Sequence, residues 1–224
     1  MGFSGLFSLL LAGAPRLALV FLWIFRPERI EFAFDGWIVP ILGLVFFPTS
    51  PRCVDNTRAR VIVESVSPFV TVVGLFVNAA PQAIEKIINH VPLGLLQFHG
   101  DEDNDTCKSF GLPFIKSIAM RDGIDVLSRM ESYPDAAGFL LDAWQPQLHG
   151  GGGETFDWKN IPEASPRPLI LAGGLTPENV TLAINTSRPY AVDVSSGVES
   201  GKGIKSAAKI AAFMQGVEDS DTGV

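Results

Sequence analysis

One alternation organises this chain. From Leu17 onward, short apolar runs and amphipathic segments follow each other eight times. The runs are residues 17–25, 41–47, 70–77, 93–98, 113–118, 137–142, 168–173 and 190–195. Each is strand-length and nearly unbroken in its apolar character, the pattern of a strand covered on both faces. The intervening segments predict helices that begin near Pro27, Asp55, Pro81, Asp103, Asp122, Asp157, Pro177 and Lys202. Pro81 and Pro177 suit a first helical turn, with Asn78 or Thr176 as caps just upstream. Ala83, Ile84, Ile87 and Ile88 share a helical face. Ile204, Ala207, Ala208, Ala211 and Ala212 share another, in a last helix that should end before Gly216.

Strands alternating with helices imply an α/β fold with a parallel sheet, and eight units favour a single closed (β/α)8 TIM barrel over an open doubly wound sheet. The expected organisation is an irregular extension over residues 1–16, one barrel domain over 17–216 and a polar tail over 217–224. The first βα unit is irregular. Phe32, Ala33 and Phe34 are too apolar for an outer helix, and residues 37–40 lack a clean helix end. The opening apolar stretch is broken by Pro15–Arg16 and carries no basic residue ahead of it, so no membrane span or secretory signal is expected. Met1-Gly2 is followed by Leu6 where a myristoylation signal needs Ser or Thr.

Composition narrows the function. Of 224 residues, 47% are hydrophobic and 18% charged, which suffices for a large core. A net charge of -7 argues against a nucleic-acid partner, although backbone amides could still hold an anionic small molecule. Cys53 and Cys107 form no disulfide framework, and His90, His99 and His149 have no metal-ligand spacing. A reducing, cytoplasmic setting, no metal and no cofactor are the expectations, with a monomer or homodimer as the state.

In a barrel of this kind chemistry gathers at the C-terminal ends of the strands. That rule selects Arg52 after the second run, Gln97 and His99 at the fourth, Asp142 at the sixth and Asp193 at the eighth. Gln97 and His99 are two residues apart and share a strand face. A carboxylate such as Asp142, standing at the mouth beside apolar walls, is placed as a general acid, with capping or ion pairing as its other reading. Asp193 could orient a ligand hydroxyl or move a proton. Arg52, held in Ser50-Pro51-Arg52, could grip a carboxylate with two parallel hydrogen bonds. Gly150–Gly153, Gly173-Gly174 and Ser195-Ser196-Gly197 follow the last three strands, where glycine-rich loops recur as phosphate sites. The four-glycine run has equally the composition of a mobile lid.

Together GLVFFPTSPR (43–52), LQFHGDE (96–102), GGGGETFDW (150–158), LILAGGLTPENV (169–180) and AVDVSSGVESGKGIK (191–205) resemble the phosphoribosylanthranilate isomerases of tryptophan biosynthesis. The resemblance spans residues 41–215. It implies a cofactor-free Amadori rearrangement of N-(5-phosphoribosyl)anthranilate to 1-(2-carboxyphenylamino)-1-deoxyribulose 5-phosphate. It assigns Asp142 as general acid, Arg52 to the anthranilate carboxylate, and Gln97, His99 and Asp193 to the substrate pocket. Gly152, Gly173, Gly174, Ser195, Ser196 and Gly197 would take the phosphate. The family's general base, a cysteine in Lys-Ile-Cys-Gly at the end of strand one, is missing. Val20 stands at the lysine position, Leu22 at the cysteine position and Trp23 at the glycine position. The readings that remain are an altered amino terminus, an impaired isomerase, a barrel that binds phosphosugar without turnover, or Cys53 acting as a substitute base.

Overall fold

The computed structural model describes residues 21–22, 41–143 and 155–221. Eight parallel strands are hydrogen-bonded in chain order in one curled sheet: β1 (Phe21–Leu22), β2 (Ile41–Val45), β3 (Thr71–Phe76), β4 (Leu95–Phe98), β5 (Phe114–Met120), β6 (Gly138–Ala143), β7 (Leu169–Leu171) and β8 (Ala191–Val192). The helices described are α1 (Asn56–Ser65), α2 (Pro81–Ile88), α3 (Asn104–Lys108), α4 (Val126–Glu131), α5 (Val180–Ser187) and α6 (Ala207–Asp221). This is the (β/α)8 barrel that the alternation predicts. The extension over 1–16 and most of the irregular first unit lie outside the described residues.

Capping explains where several helices begin. The side chains of Asp55 and Asp103 each accept a main-chain N–H three residues on, at 2.8 Å, satisfying donors that the first turn leaves unpaired. The fourth helix starts later than Asp122 suggests. Gly123 turns with φ +76°, and Asp125 is the residue that caps, through Ser128 N–H at 3.0 Å. Pro81 does open α2, but Ala80 precedes it as the cap residue. Asn78 is drawn off to another task described below.

Two expectations near the C-terminus are corrected. Lys202 lies in a hairpin of β9 (Glu199–Gly201) and β10 (Ile204–Lys205), whose turn uses Gly203 at φ +76°. Ile204 is therefore an exposed strand residue, and the helix starts at Ala207. That helix buries Ile210, Phe213, Met214 and Val217, while Ala207, Ala208, Ala211 and Ala212 face solvent. Nor does it stop at Gly216. A Cβ there would come within 2.7 Å of Val180 Cγ1, and the Gly216 carbonyl accepts from Thr181 Oγ1 at 2.7 Å. The glycine permits close packing of α6 on α5, so residues 217–221 extend the helix and are not a free tail.

The core has two layers because successive strand residues point to opposite faces. Ile41, Val73, Ile115, Leu140, Ile170 and Ala191 fill the barrel interior. Leu44, Phe76, Phe98, Phe139 and Leu171 pack outward under the helices. Lys116 belongs by this alternation to the outer layer and is fully buried there. Its Nζ donates to Gly100 O at 2.6 Å and to Glu102 Oε2 at 3.0 Å. Glu102 also accepts the main-chain N–H of Asn78 at 2.6 Å and of Gly100 at 3.0 Å, and Asn78, at φ +48°, accepts Asp101 N–H at 2.7 Å. One buried ion pair thus ties β5 to the segments that follow β3 and β4. Lys116→Met should leave the Glu102 carboxylate buried without its cation and lower the unfolding free energy by about 3–5 kcal/mol in urea titration.

Candidate active site

The same alternation that buries Leu140 inside the barrel brings Asp142 inward on β6, and on β4 it brings Gln97 and then His99 inward. These side chains meet in a row. Gln97 Nε2 lies 3.2 Å from His99 Nδ1, and His99 Nε2 lies 3.0 Å from Asp142 Oδ2. Two proton arrangements satisfy the row. With Asp142 ionised, His99 donates from Nε2 and accepts the Gln97 amide at Nδ1. With Asp142 protonated, its hydroxyl donates to Nε2, and Nδ1–H needs the Gln97 carbonyl after an amide flip. Gln97 Oε1 is buried and has no partner among the described residues, so it is available for that second arrangement.

Around the row is a cleft open to solvent, where a few polar groups converge among apolar walls, as in small-molecule sites. Arg52, Gln97, His99, Asp142 and Asp193 line it, and Gly173, Gly174, Ser195 and Ser196 form its far wall. Nine residues selected from sequence therefore converge on one space. Gly197 follows directly in the short turn Ser196–Val198. Leu22 is on β1 with its backbone paired to Leu42, and Gly152 lies outside the described residues.

The glycine wall is shaped by close approach. Gly173 has φ +80°, and a Cβ there would meet Asp142 Oδ1 at 2.9 Å. A Cβ on Gly197 would collide with the Leu175 carbonyl, so the loops after β7 and β8 press together. Both loops are stapled by residues that sequence reasoning overlooked. Asn179 donates to Gly174 O at 2.9 Å and accepts Thr176 N–H at 2.8 Å. Lys205 donates to Ser195 O at 2.5 Å. Each is a polar residue a few positions beyond a glycine motif, which is the only trace that it leaves in the sequence.

Arg52 is not a free cation. Its Nε and Nη2 donate to the two oxygens of Glu199 at 2.8 and 2.9 Å, in a fork on the cavity's edge. Burial pushes the Glu199 carboxyl up, but the hydrogen bonds from Arg52 and Gly203 and the charges of Lys205 and Arg52 outweigh it and hold it below the ordinary value. Lys205 is brought down to about 8, chiefly by burial, with Arg52 adding to the fall and Glu199 opposing it. Asp193 moves the other way. Burial, reinforced by the nearby Asp142 charge, raises it to about 8, against the pull of Lys205. The protonated form of Asp193 is thus favoured at neutral pH, and its Oδ1 has no partner among the described residues.

Cys53 does not serve as the substitute base. It is not among the residues lining the cavity, burial raises its thiol, and the adjacent Arg52 charge is taken by Glu199. Cys107 is a buried packing residue, pushed up to about 12 mainly by desolvation. Among the described residues no cluster of three or more potential metal ligands gathers, and no helix is long and apolar enough to cross a membrane.

Residues 34–216 match the family described as N-(5'phosphoribosyl)anthranilate (PRA) isomerase. The chain belongs to that family. A relative of that name from Nitrosococcus oceani is 52% identical over 177 residues, covering 79% of this chain and 86% of its own. One from Pseudomonas fluorescens is 52% identical over 180 residues, covering 80% and 86%. The crystal structure of phosphoribosyl anthranilate isomerase from Thermotoga maritima superposes with TM-score 0.80 at 34% identity, over 91% of this chain and 99% of that one. A further isomerase structure, solved in complex with reduced 1-(o-carboxyphenylamino)-1-deoxyribulose 5-phosphate, gives TM-score 0.78 at 32% identity over the same shares. The family match begins at residue 34, past the β1 segment in which the isomerase motif is missing.

Within this isomerase site Asp193 carries a measurable cost. Its folded value lies far above that of an unfolded aspartate, so the folded state holds a proton that the unfolded chain releases above pH 4. Stability is then highest below pH 4 with respect to this group and is lost as pH rises toward about 8. Asp193→Asn removes the penalty. The variant's Tm should exceed the parent's by a margin that widens between pH 5 and pH 8, read by thermal unfolding.

Proposed function

We propose that this chain is an isomerase acting on N-(5-phosphoribosyl)anthranilate in tryptophan biosynthesis. The observation that carries the reading is the arrangement of one cavity: an inward acid hydrogen-bonded to an imidazole, a forked arginine at one edge and glycine loops opposite. The phosphate would lie against the loops of Gly173-Gly174 and Ser195-Ser196-Gly197, with Gly152 contributing from the loop after β6. The anthranilate carboxylate would lie on Arg52. That leaves the furanose between them, over Asp142.

Asp142 then protonates the ring oxygen, the C1–O bond breaks, and the nitrogen lone pair forms the Schiff base. Removal of the C2 proton gives the enolamine, and the returning proton at C1 completes the ketose. His99 and Gln97 can satisfy the acid in both of its protonation states, the switch between them requiring a change of His99 tautomer and a turn of the Gln97 amide. Asp193, neutral and buried, suits donation to a sugar oxygen rather than proton abstraction.

The C2 step is where this chain departs from its relatives. Leu22 accepts no proton, so general-base assistance is missing from strand one. Turnover should be slower by roughly 10²–10⁴-fold than that of the Nitrosococcus oceani relative assayed alongside. Asp142→Asn should abolish what turnover remains while keeping affinity for the reduced product analogue. A variant as active as its parent would remove Asp142 from the acid role. The same Leu22 favours a second reading, a barrel that binds the phosphosugar and does not turn it over. Calorimetric binding of the analogue, with no product formed on prolonged incubation with substrate, would select it.

A further inference from the structure

Arginine 52 reaches the cavity from a loop, on a side chain with four rotatable bonds. Such a side chain loses considerable entropy when a ligand fixes it. Here it is already fixed. The Glu199 carboxylate takes Nε–H and one Nη2–H in the parallel geometry that only a guanidinium offers. Among the described residues two of the five guanidinium donors are used, leaving three on a group that lines the cavity. Glu199 is itself held from behind: its Oε2 accepts Gly203 N–H at 3.1 Å and its main-chain carbonyl accepts Lys209 Nζ at 2.8 Å.

A second cation meets the same carboxylate. Lys205 Nζ lies 3.4 Å from Glu199 Oε1 and donates to the carbonyl of Ser195, in the loop after β8. With Lys205 protonated, two cations share one anion, and the cluster keeps a net positive charge facing the cavity. We propose that Glu199 is a positioning residue that presets Arg52 as the receptor for the ligand's aromatic carboxylate and, through Lys205, joins it to the phosphate loop. This deepens the reading of the cavity given above and rests on it. A merely structural Glu199 would instead pin the β9–β10 hairpin to the loop after β2 and be indifferent to what the ligand carries.

The two roles separate by ligand chemistry. The full chain and Glu199→Gln are titrated calorimetrically with the reduced product analogue and with its anilino counterpart, which lacks the carboxylate. Glu199→Gln should weaken the carboxylated ligand by roughly tenfold to a hundredfold and the anilino ligand by less than about threefold. Equal losses on both ligands, or no loss on either, would overturn the proposal. In an Arg52→Gln background Glu199→Gln should cost the carboxylated ligand nothing more, and a persisting loss there would also overturn it. If Glu199→Gln unfolds, Glu199→Asp makes the same comparison, keeping the charge but withdrawing it one methylene from the guanidinium. If the unsubstituted chain binds neither ligand, the assignment of the cavity fails and takes this proposal with it, an outcome distinct from failure at Glu199 alone.

Discussion

Strand periodicity is the constraint on which this site depends. A barrel strand must send alternate side chains into a closed, dry interior, and polar groups are tolerated there only where the interior opens to the mouth. Along β6 the order is Phe139 outward, Leu140 inward, Leu141 outward, Asp142 inward. Along β4 it is Leu96 outward, Gln97 inward, Phe98 outward, His99 inward. A shift of either strand by one residue would carry the acid or the imidazole into the outer layer and place a leucine or phenylalanine in the cavity. The outward Phe98 and Phe139, both fully buried, oppose such a shift, so the packing of the outer layer determines the chemistry of the inner one.

Buried charge is concentrated at the same end of the barrel. Lys116 and Glu102 lie behind the β4 turn, Arg52, Glu199 and Lys205 surround the far loops, and Asp193 stands between them and Asp142. Desolvation makes each of these groups costly to bury, and hydrophobic replacements of similar volume would often be more stable. Their value lies in direction. Lys116–Glu102 fixes the backbone after His99, and Glu199 holds a guanidinium in a single orientation. The interior filled by Ile41, Val73, Leu140 and Ile170 offsets that cost with ordinary apolar burial.

Much of this was legible in sequence, for a physical reason. Apolar runs covered on both faces identify parallel strands, and strand ends identify the mouth, so Arg52, Gln97, His99, Asp142 and Asp193 could be selected without coordinates. What stayed hidden depends on long-range pairing. Glu199 lies 147 positions from Arg52, and nothing local marks them as partners. Lys205 reads as a surface lysine until the hairpin folds it under Ser195. The alanine stripe of α6 misled because small residues suit a helix face of either kind, and only the packing of Gly216 on α5 shows which face is buried. Asn78 resembled a helix cap, but its left-handed backbone serves the β4 turn.

The groups that line the cavity are distributed over several strands and their loops. The Arg52–Glu199 pair joins the loop after β2 to the hairpin after β8. The wall of Gly173, Gly174, Ser195 and Ser196 comes from the loops after β7 and β8, and Asp142 with His99 comes from β6 and the end of β4. Among the described residues, none of the hydrogen bonds that position Arg52, His99, Asp142 or Ser195 comes from β1. The polar wall of the cavity is therefore built by β4, β6 and the loops after β2, β7 and β8.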